Sequence, residues 1–495
     1  MKSILINNQW SVGRGNSFSS SNPANQELVW QGSSANAADI DLAVKAARQA
    51  FQSWALLSFQ ERCQYVEKYV EILTVNKEEY AEVIHQENGK PLWEARSEVA
   101  TMIAKYQTSI TAYNTRTGTV NNHAAVSSML THRAIGAIVV FGPFNFPGHL
   151  PNGHIIPALI AGNTIVYKPS ELTPLCGELM AKYWLEAGLP QGVLNLVQGD
   201  GLTGAALTAH PDINGILFTG SYNVGKTIHA ALAGRPEVML ALEMGGNNPL
   251  IISSEIKDLD GAVYNTIQSS FISSGQRCTC ARRLYVPKNK LGDQFVERLI
   301  AVSKNIAISD GINHLNMNQN QQAFMGPVIS LRSRDNIIEF KNNLLSQYNA
   351  TELLELKKIS ETSALLTPGI IEFADLNNNI PDQECFGPLL QIFRYNEFDE
   401  AIIAANNTAY GLAAGLLSDN KEEFEKFYQL IRAGIVNWNR PTTGAAGNLP
   451  FGGVGHSGNY CPSAFYAADY CSYPMATQYT ENVTLPTELA PGILL

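Results

Sequence analysis

Several absences narrow the field before any motif is read. No stretch gathers basic residues into a long run, and the net charge is −10, from 34 Lys and Arg against 44 Asp and Glu. A nucleic-acid surface or attachment to an acidic membrane is therefore not expected. No apolar run approaches the ~18–20 residues that span a bilayer. The opening MKSILINNQW has one Lys and only a short apolar run, so no signal peptide is expected. There is no CxxC pair and no His-rich tract, so no metal site is expected. The seven cysteines (63, 176, 278, 280, 385, 461 and 471) are odd in number and scattered. Reduced thiols in a cytoplasm fit that pattern better than a disulfide framework. There is also no internal repeat and no low-complexity segment.

What remains is a chain of 495 residues with 45% hydrophobic and 16% charged residues, enough for two or three domains with full cores. From about Asn36 to Tyr113 the apolar residues recur three and four apart, as in DIDLAVKAARQAFQSW and ERCQYVEKYVEILTVN, which predicts helices. The run in THRAIGAIVVFGPFNFP then predicts a buried strand feeding a loop. Beyond it, strands (NTIVYKP, GVLNLVQG, GILFTG) alternate with helices (PLCGELMAKYWLEAG, stopped at Gly188, and SYNVGKTIHAALAG). A second set starts near Gly246 with NPLIIS, LDGAVYNTIQSSFISSG, RRLYVP and KLGDQFVERLIAVSKN, and runs to GIVNWN. The alternation predicts an α/β class of doubly wound parallel sheets.

Two short stretches carry chemistry. GSYNVGKT matches the phosphate-loop pattern through Gly220, Gly225, Lys226 and Thr227, after a strand and before a helix. Its interior is bulky, it sits midway along the chain, and the following EVMLALEMGG supplies no strand-end Asp for Mg²⁺. A nucleoside triphosphatase is thus disfavoured; a plain strand–turn–helix and a dinucleotide pyrophosphate site remain open. SSGQRCTCARR places Cys278 and Cys280 one residue apart beside glycine and arginine, open to reading as metal ligands, half of a disulfide, packed core or a nucleophile.

Taken in order, FGPFNFP (141–147), ALIAGNTIVYKPSELTP (158–174), FTGSYNVG (218–225), LEMGGNNP (242–249), GQRC (275–278), ECFGP (384–388) and LPFGGVGHSG (449–458) resemble the NAD(P)-dependent aldehyde dehydrogenase superfamily along nearly the whole chain. NFPGHLPNGHIIPAL, GQRCTCARRL and PSAFYAADYCSYP are similar to its branch acting on N-succinylglutamate 5-semialdehyde in arginine catabolism, in which Gly153-His154 replaces the Trp-Lys of many relatives.

The resemblance implies a role for each matching residue. Cys278 is the expected thiolate nucleophile, because a free aldehyde gives up hydride poorly and a thiohemiacetal gives it up well. Glu243 is the expected general base for thioester hydrolysis, its pKa raised by Leu240, Ala241, Leu242 and Met244. The Asn145 amide, with the Cys278 N–H, is expected to stabilise the oxyanion, one such donor being worth ~3 kcal/mol. Lys168 and Glu171 are expected at the adenosine ribose, where the acid favours NAD over NADP. Gly220, Ser221, Tyr222, Asn223, Val224 and Gly225 form the expected pyrophosphate turn, and Glu384 and Phe386 are expected at the nicotinamide ribose. The plainer alternatives are an inert buried thiol for Cys278, a solvent-facing strand end for Glu243, an Asx-turn for Asn145, a helix-start acid for Glu171, and turn and core for Glu384 and Phe386. Cys280 is expected to be a packing residue, though on an extended segment it would share the side of Cys278.

The resemblance also implies a Rossmann-like NAD-binding domain (mainly 1–244), a catalytic α/β domain (245–440) and a return to the first domain (441–495). A small β arm at 116–134 would join the C-terminal strand in dimers or dimers of dimers. The two substrate carboxylates call for cations or N–H donors, with Arg277, Arg440 and His154 as candidates by position. Cys461 stands where that branch tends to carry Arg, which leaves another acidic semialdehyde as the alternative substrate. A catalytically silent relative would have no need of Cys278, Glu243 and Asn145 together.

Overall fold

The computed structural model describes residues 2–123, 127–311, 314–317, 322–374, 376 and 380–495. Four helices, Ala37–Leu56, Phe59–Val75, Lys77–Asn88 and Leu92–Arg116, fill the region of helical periodicity. The first two begin in capping boxes, Asn36 with Asp39 and Ser58 with Glu61, which satisfy otherwise orphaned N–H groups.

The strands sort into two seven-stranded sheets. The first runs in the order Met239–Met244, Gly215–Gly220, Ala137–Phe141, Thr164–Lys168, Leu194–Leu196, Ile4–Ile6 and Gln9–Ser11, its first five strands parallel. Ile138, Val140, Ile165 and Tyr167 pack on one face, with the helices at 149–161 and 174–186. Val139, Phe141, Val166 and Phe218 pack on the other, with Ile40, Val44 and Ile228 of two further helices. Burial on both faces explains why these strands read as unbroken apolar runs rather than alternating ones.

The second sheet runs Ala350–Leu354, Gly369–Phe373, Leu389–Tyr395, Ala281–Pro287, Asn248–Ile252, Ala413–Leu417 and Ile435–Trp438, parallel except at its first edge. Strand Ser127–Ala134 forms a separate antiparallel ribbon with Ser472–Tyr479 and Val120–His123. Residues 124–126, within the expected arm, lie outside the described residues.

An N-terminal hairpin has no counterpart in the helical and strand patterns of the sequence. Ile4–Ile6 and Gln9–Ser11 are three residues each, too short for a period to show. Their signal was the turn: Asn7 and Asn8 both take positive φ (52° and 61°), the geometry that Asn favours in a tight hairpin. No helix among the described residues is long and apolar enough to cross a membrane.

One buried ion pair ties the helical region to the first sheet's loops. Lys90 Nζ lies 2.8 Å from Glu98 Oε2, with side chains 2% and 0% exposed. Glu98 Oε1 accepts the N–H groups of Gly148 and His149, and Lys90 also donates to the Asn145 carbonyl. Glu98→Ala would strand a buried ammonium and two N–H groups. It should destabilise the fold by about 3–5 kcal/mol, read as a lowered thermal midpoint.

Candidate active site

The main cleft, about 750 Å³, runs between the two sheets. Parallel strands of the first sheet deliver Phe141, Lys168, Gly220, Glu243 and Met244 to it from their C-terminal ends. The second sheet faces it with segments that precede its strands: Cys278 before Ala281–Pro287, and Glu384 and Phe386 before Leu389–Tyr395. Residues 245–247 carry the chain directly across. A Cβ on Gly245 would stand 1.9 Å from Glu384 Oε2, so a side chain at 245 would displace that carboxylate.

Cys278 is presented by a strained turn. Ser273, Ser274 and Gly275 all take positive φ (53°, 54° and 72°). Such conformations persist only where neighbours over-determine them. Here Ser273 Oγ donates to Glu94, Arg277 Nε donates to Ser273 Oγ (2.8 Å), and Ser274 Oγ donates to the Gly326 carbonyl (2.6 Å). Arg282, fully buried, donates to the carbonyls of Gly275, Gly387 and Arg277. The turn is not extended, so Cys280 does not share the side of Cys278. Its thiol is buried, 3.9 Å from the Ile272 carbonyl.

Asn145 and Glu243 line the cleft with Cys278. Asn145 Nδ2 donates to the Gln276 carbonyl at 3.0 Å, which aims the amide at the nucleophile turn. Glu243 is 4% exposed, not a solvent-facing strand end, and its Oε2 has no hydrogen-bond partner. Burial raises Glu243 well above the ordinary carboxylate range. Burial also pushes the Cys278 thiol up, with the Glu384 and Glu243 carboxylates adding to the shift. Burial thus disfavours the charged form of both groups, and a thiolate forms only when a base takes its proton.

Lys168, Glu171, Gly220, Ser221 and Val224 line the same cleft. Lys168 Nζ donates to the Pro169 carbonyl (2.9 Å) and lies 3.9 Å from Glu171, which is 47% exposed at its side chain. Ser221 caps the helix Tyr222–Ala231, so that helix opens at the cleft. Glu384 Oε1 accepts from the Gly246 N–H (3.2 Å), and burial lifts its carboxyl to about 7. Phe386 meets Phe144 edge-on at 5.8 Å.

Three residues of the expected pyrophosphate turn do not line the cleft. The helix starts one residue after Ser221, which turns Tyr222, Asn223 and Gly225 aside. Tyr222 stacks on His456 at 3.7 Å, Asn223 is exposed, and Gly225 is a packing glycine whose Cβ would meet Met244 Sδ at 2.4 Å. The same early start removes the phosphate-loop reading. Most of the matched stretch is helix rather than a wrapping loop, Lys226 is exposed, and the Thr227 hydroxyl bonds the Asn223 carbonyl.

The proposed carboxylate binders are also accounted for. Arg277 pairs with Glu94 at 2.8 Å. His154 is buried between Tyr470 Oη (2.9 Å) and Thr219 Oγ1 (3.1 Å), and burial drops it to about 3. Arg440 is exposed. Cys461 lines a second groove with Tyr460 and Tyr473, not the main cleft. Asp200, Thr219 and Asn336 line the cleft without a sequence signal beyond the N-cap position of Asp200.

A raised thiol pKa gives a sign that can be read directly. Alkylation of Cys278 by iodoacetamide in the cofactor-free protein should climb about tenfold per pH unit from 7 to 9. Peptide mass spectrometry would follow it, and a rate already flat below pH 7 would mean a resting thiolate instead.

Comparisons with known proteins agree with this geometry. The sequence profile described as "Aldehyde dehydrogenase family" matches residues 10–473. The chain is 50% identical to an N-succinylglutamate 5-semialdehyde dehydrogenase of Hahella chejuensis, over 100% of this chain and 99% of the relative. It is 51% identical to the enzyme of the same name from Burkholderia ambifaria, over 100% of both. Among solved structures, an NAD⁺ complex of an aldehyde dehydrogenase from Bacillus cereus superposes with a TM-score of 0.89 at 28% identity, covering 97% of each chain. On its cleft, its order of motifs and these full-length matches, the chain belongs to the aldehyde dehydrogenase family.

Proposed function

We propose that this chain oxidises N-succinyl-L-glutamate 5-semialdehyde to N-succinyl-L-glutamate with NAD, in arginine catabolism. The observation that carries the reading is one cleft lined by Cys278, Asn145 and Glu243 together with Lys168, Glu171 and the helix start at Ser221. Half-identity to relatives of that name along the full chain supports the substrate.

The cleft suits a dinucleotide. Ser221 and Val224 bring a helix N-terminus, a ready site for pyrophosphate, and Glu171 offers a carboxylate to ribose hydroxyls. Gly245 keeps the crossing clear beside Glu384. When bound, NAD accepts a hydride.

The protein's own groups do the rest. As Cys278 attacks the aldehyde carbon, its proton passes to Glu243 and an S–C bond forms. The resulting oxyanion meets the Asn145 Nδ2 and the Cys278 N–H. Collapse of that oxyanion breaks the C–H bond, expels hydride and leaves a thioester on Cys278. Glu243 gives that proton up to solvent and then takes one from water as hydroxide adds to the acyl carbon; the C–S bond breaks to release the acid, and the proton on Glu243 returns to the Cys278 sulfur. Free cysteines at every position support a cytoplasmic location. The ribbon of Ser127–Ala134 and Ser472–Tyr479, with Val120 and Tyr473 exposed, supports self-association as a dimer or tetramer.

NADH formation from the succinylated semialdehyde, beside succinic and glutamic semialdehydes, tests the reading. Turnover should favour the succinylated substrate, and Cys278→Ala should lose roughly 10⁴-fold or more. Activity with only the other aldehydes would discard the substrate and keep the chemistry; activity surviving in Cys278→Ala would discard the chemistry. For the cofactor, Glu171→Gln should raise kcat/KM for NADP relative to NAD about tenfold, the scale of one partly exposed charge pair. An unchanged ratio would remove Glu171 from cofactor choice.

A further inference from the structure

Arg282 stands second in the strand Ala281–Pro287 and is 0% exposed. Its guanidinium meets main-chain carbonyls: Nη1 donates to Gly275 (2.6 Å) and Gly387 (3.2 Å), and Nη2 donates to Arg277 (3.0 Å). Glu384 stands 3.9 Å from Nη2, and Nε has no partner among the described residues. A buried cation held mostly by carbonyls is expensive, and a methionine would fill much of the same space without that penalty.

One of these bonds bears directly on the chemistry. The Arg277 carbonyl and the Cys278 N–H belong to a single peptide unit, which is trans. In a trans peptide the C=O and N–H point opposite ways in one plane. The carbonyl is turned toward Arg282 and the buried Cys280, whose N–H also donates to it at 3.0 Å. The N–H is thereby turned the other way, on a residue that lines the cleft, and it meets no acceptor among the described residues. A cation on the carbonyl also polarises the peptide, which makes its N–H a stronger donor. The other two bonds fix the guanidinium itself. Gly275 belongs to the left-handed turn before Cys278, and Gly387 directly follows Phe386 on the loop that carries Glu384.

We propose that Arg282 is a positioning residue for the oxyanion: by holding the Arg277 carbonyl from behind, it aims and strengthens the Cys278 N–H that meets the negative oxygen formed when Cys278 attacks a carbonyl carbon. The proposal rests on the reading of Cys278 as the nucleophile. Without the guanidinium, the 277–278 peptide turns about its flanking bonds and its N–H leaves that oxygen. Lysine offers one point charge in place of a planar fork, so it cannot hold all three carbonyls at once.

The test compares two reactions of Cys278 in the cofactor-free protein, each corrected for the rate left in Cys278→Ala. 4-Nitrophenyl acetate acylates the sulfur through a tetrahedral oxyanion: an S–C bond forms, the C–O bond to the ring breaks, and nitrophenolate leaves. Iodoacetamide alkylates the same sulfur by displacing iodide, with no oxyanion. Burial raises the Cys278 thiol and the Arg282 charge opposes that rise, so losing Arg282 also costs thiolate. Both reactions need the thiolate, and the ratio of their rates at one pH cancels that part. In Arg282→Met the ratio of acylation to alkylation should fall roughly 100-fold, the scale of one oxyanion donor. In Arg282→Lys, which keeps the charge and loses the fork, it should fall about tenfold. An unchanged ratio in either variant would overturn the proposal. Asn145→Ala serves as the comparator. If it and both Arg282 variants leave the ratio unchanged, the oxyanion reading falls; if it lowers the ratio and they do not, only the Arg282 proposal falls. No nitrophenolate from wild type above the Cys278→Ala background would overturn the proposal together with the nucleophile reading. If melting curves show Arg282→Met to be unfolded, Arg282→Lys decides alone.

Discussion

The site depends on one buried helix face. Helix Leu92–Arg116 presents Glu94, Glu98 and Lys105 to the interior, and each holds a different wall. Glu94 accepts from Ser273 and Arg277 and so braces the turn that carries Cys278. Glu98 accepts the Gly148 and His149 N–H groups just beyond Asn145, and its partner Lys90 binds the Asn145 carbonyl. Lys105 holds the loop beside Glu243. Charged hydrogen bonds in a dry interior are strong and directional, and losing one partner is costly. A single rigid rod thus sets the mutual distances of groups that come from three distant parts of the chain.

Around that rod, burial governs the chemistry. The same enclosure that raises Cys278 also raises Glu243 and brings Glu384 to about 7. For the nucleophile and the base alike, the buried site disfavours the charged form. Proton transfer from the thiol to the Glu243 carboxylate therefore creates no new ion; it moves one negative charge from the base to the sulfur, where the reaction uses it.

Much of this could be read from residues alone, where a local pattern had one physical meaning. The strand–helix alternation from Ala137 to Ala231 was visible because strands covered on both faces are unbroken apolar runs. The desolvation of Glu243 followed from its neighbours Leu240 to Met244. Other features are set by contacts across the chain and left no local sign. Tyr222, Asn223 and Gly225 were read as cofactor contacts because the motif is contiguous; a helix that begins at once turns successive side chains by about 100° and removes them from the cleft. Cys280 depended on whether its segment was extended, and a bond from its N–H to the Arg277 carbonyl makes it a turn. Glu94, Glu98 and Lys105 resemble a solvated helix face, since only their tertiary partners reveal that they are buried.

The short crossing at residues 245–247 bounds how far the two sheets can part. A three-residue tether with no side chain at its tightest point joins the two sheets beside the reacting groups, and it spans at most ~10 Å. It therefore caps the separation of Met244, at the end of a first-sheet strand, and Asn248, at the start of a second-sheet strand, whatever lies in the cleft beside them.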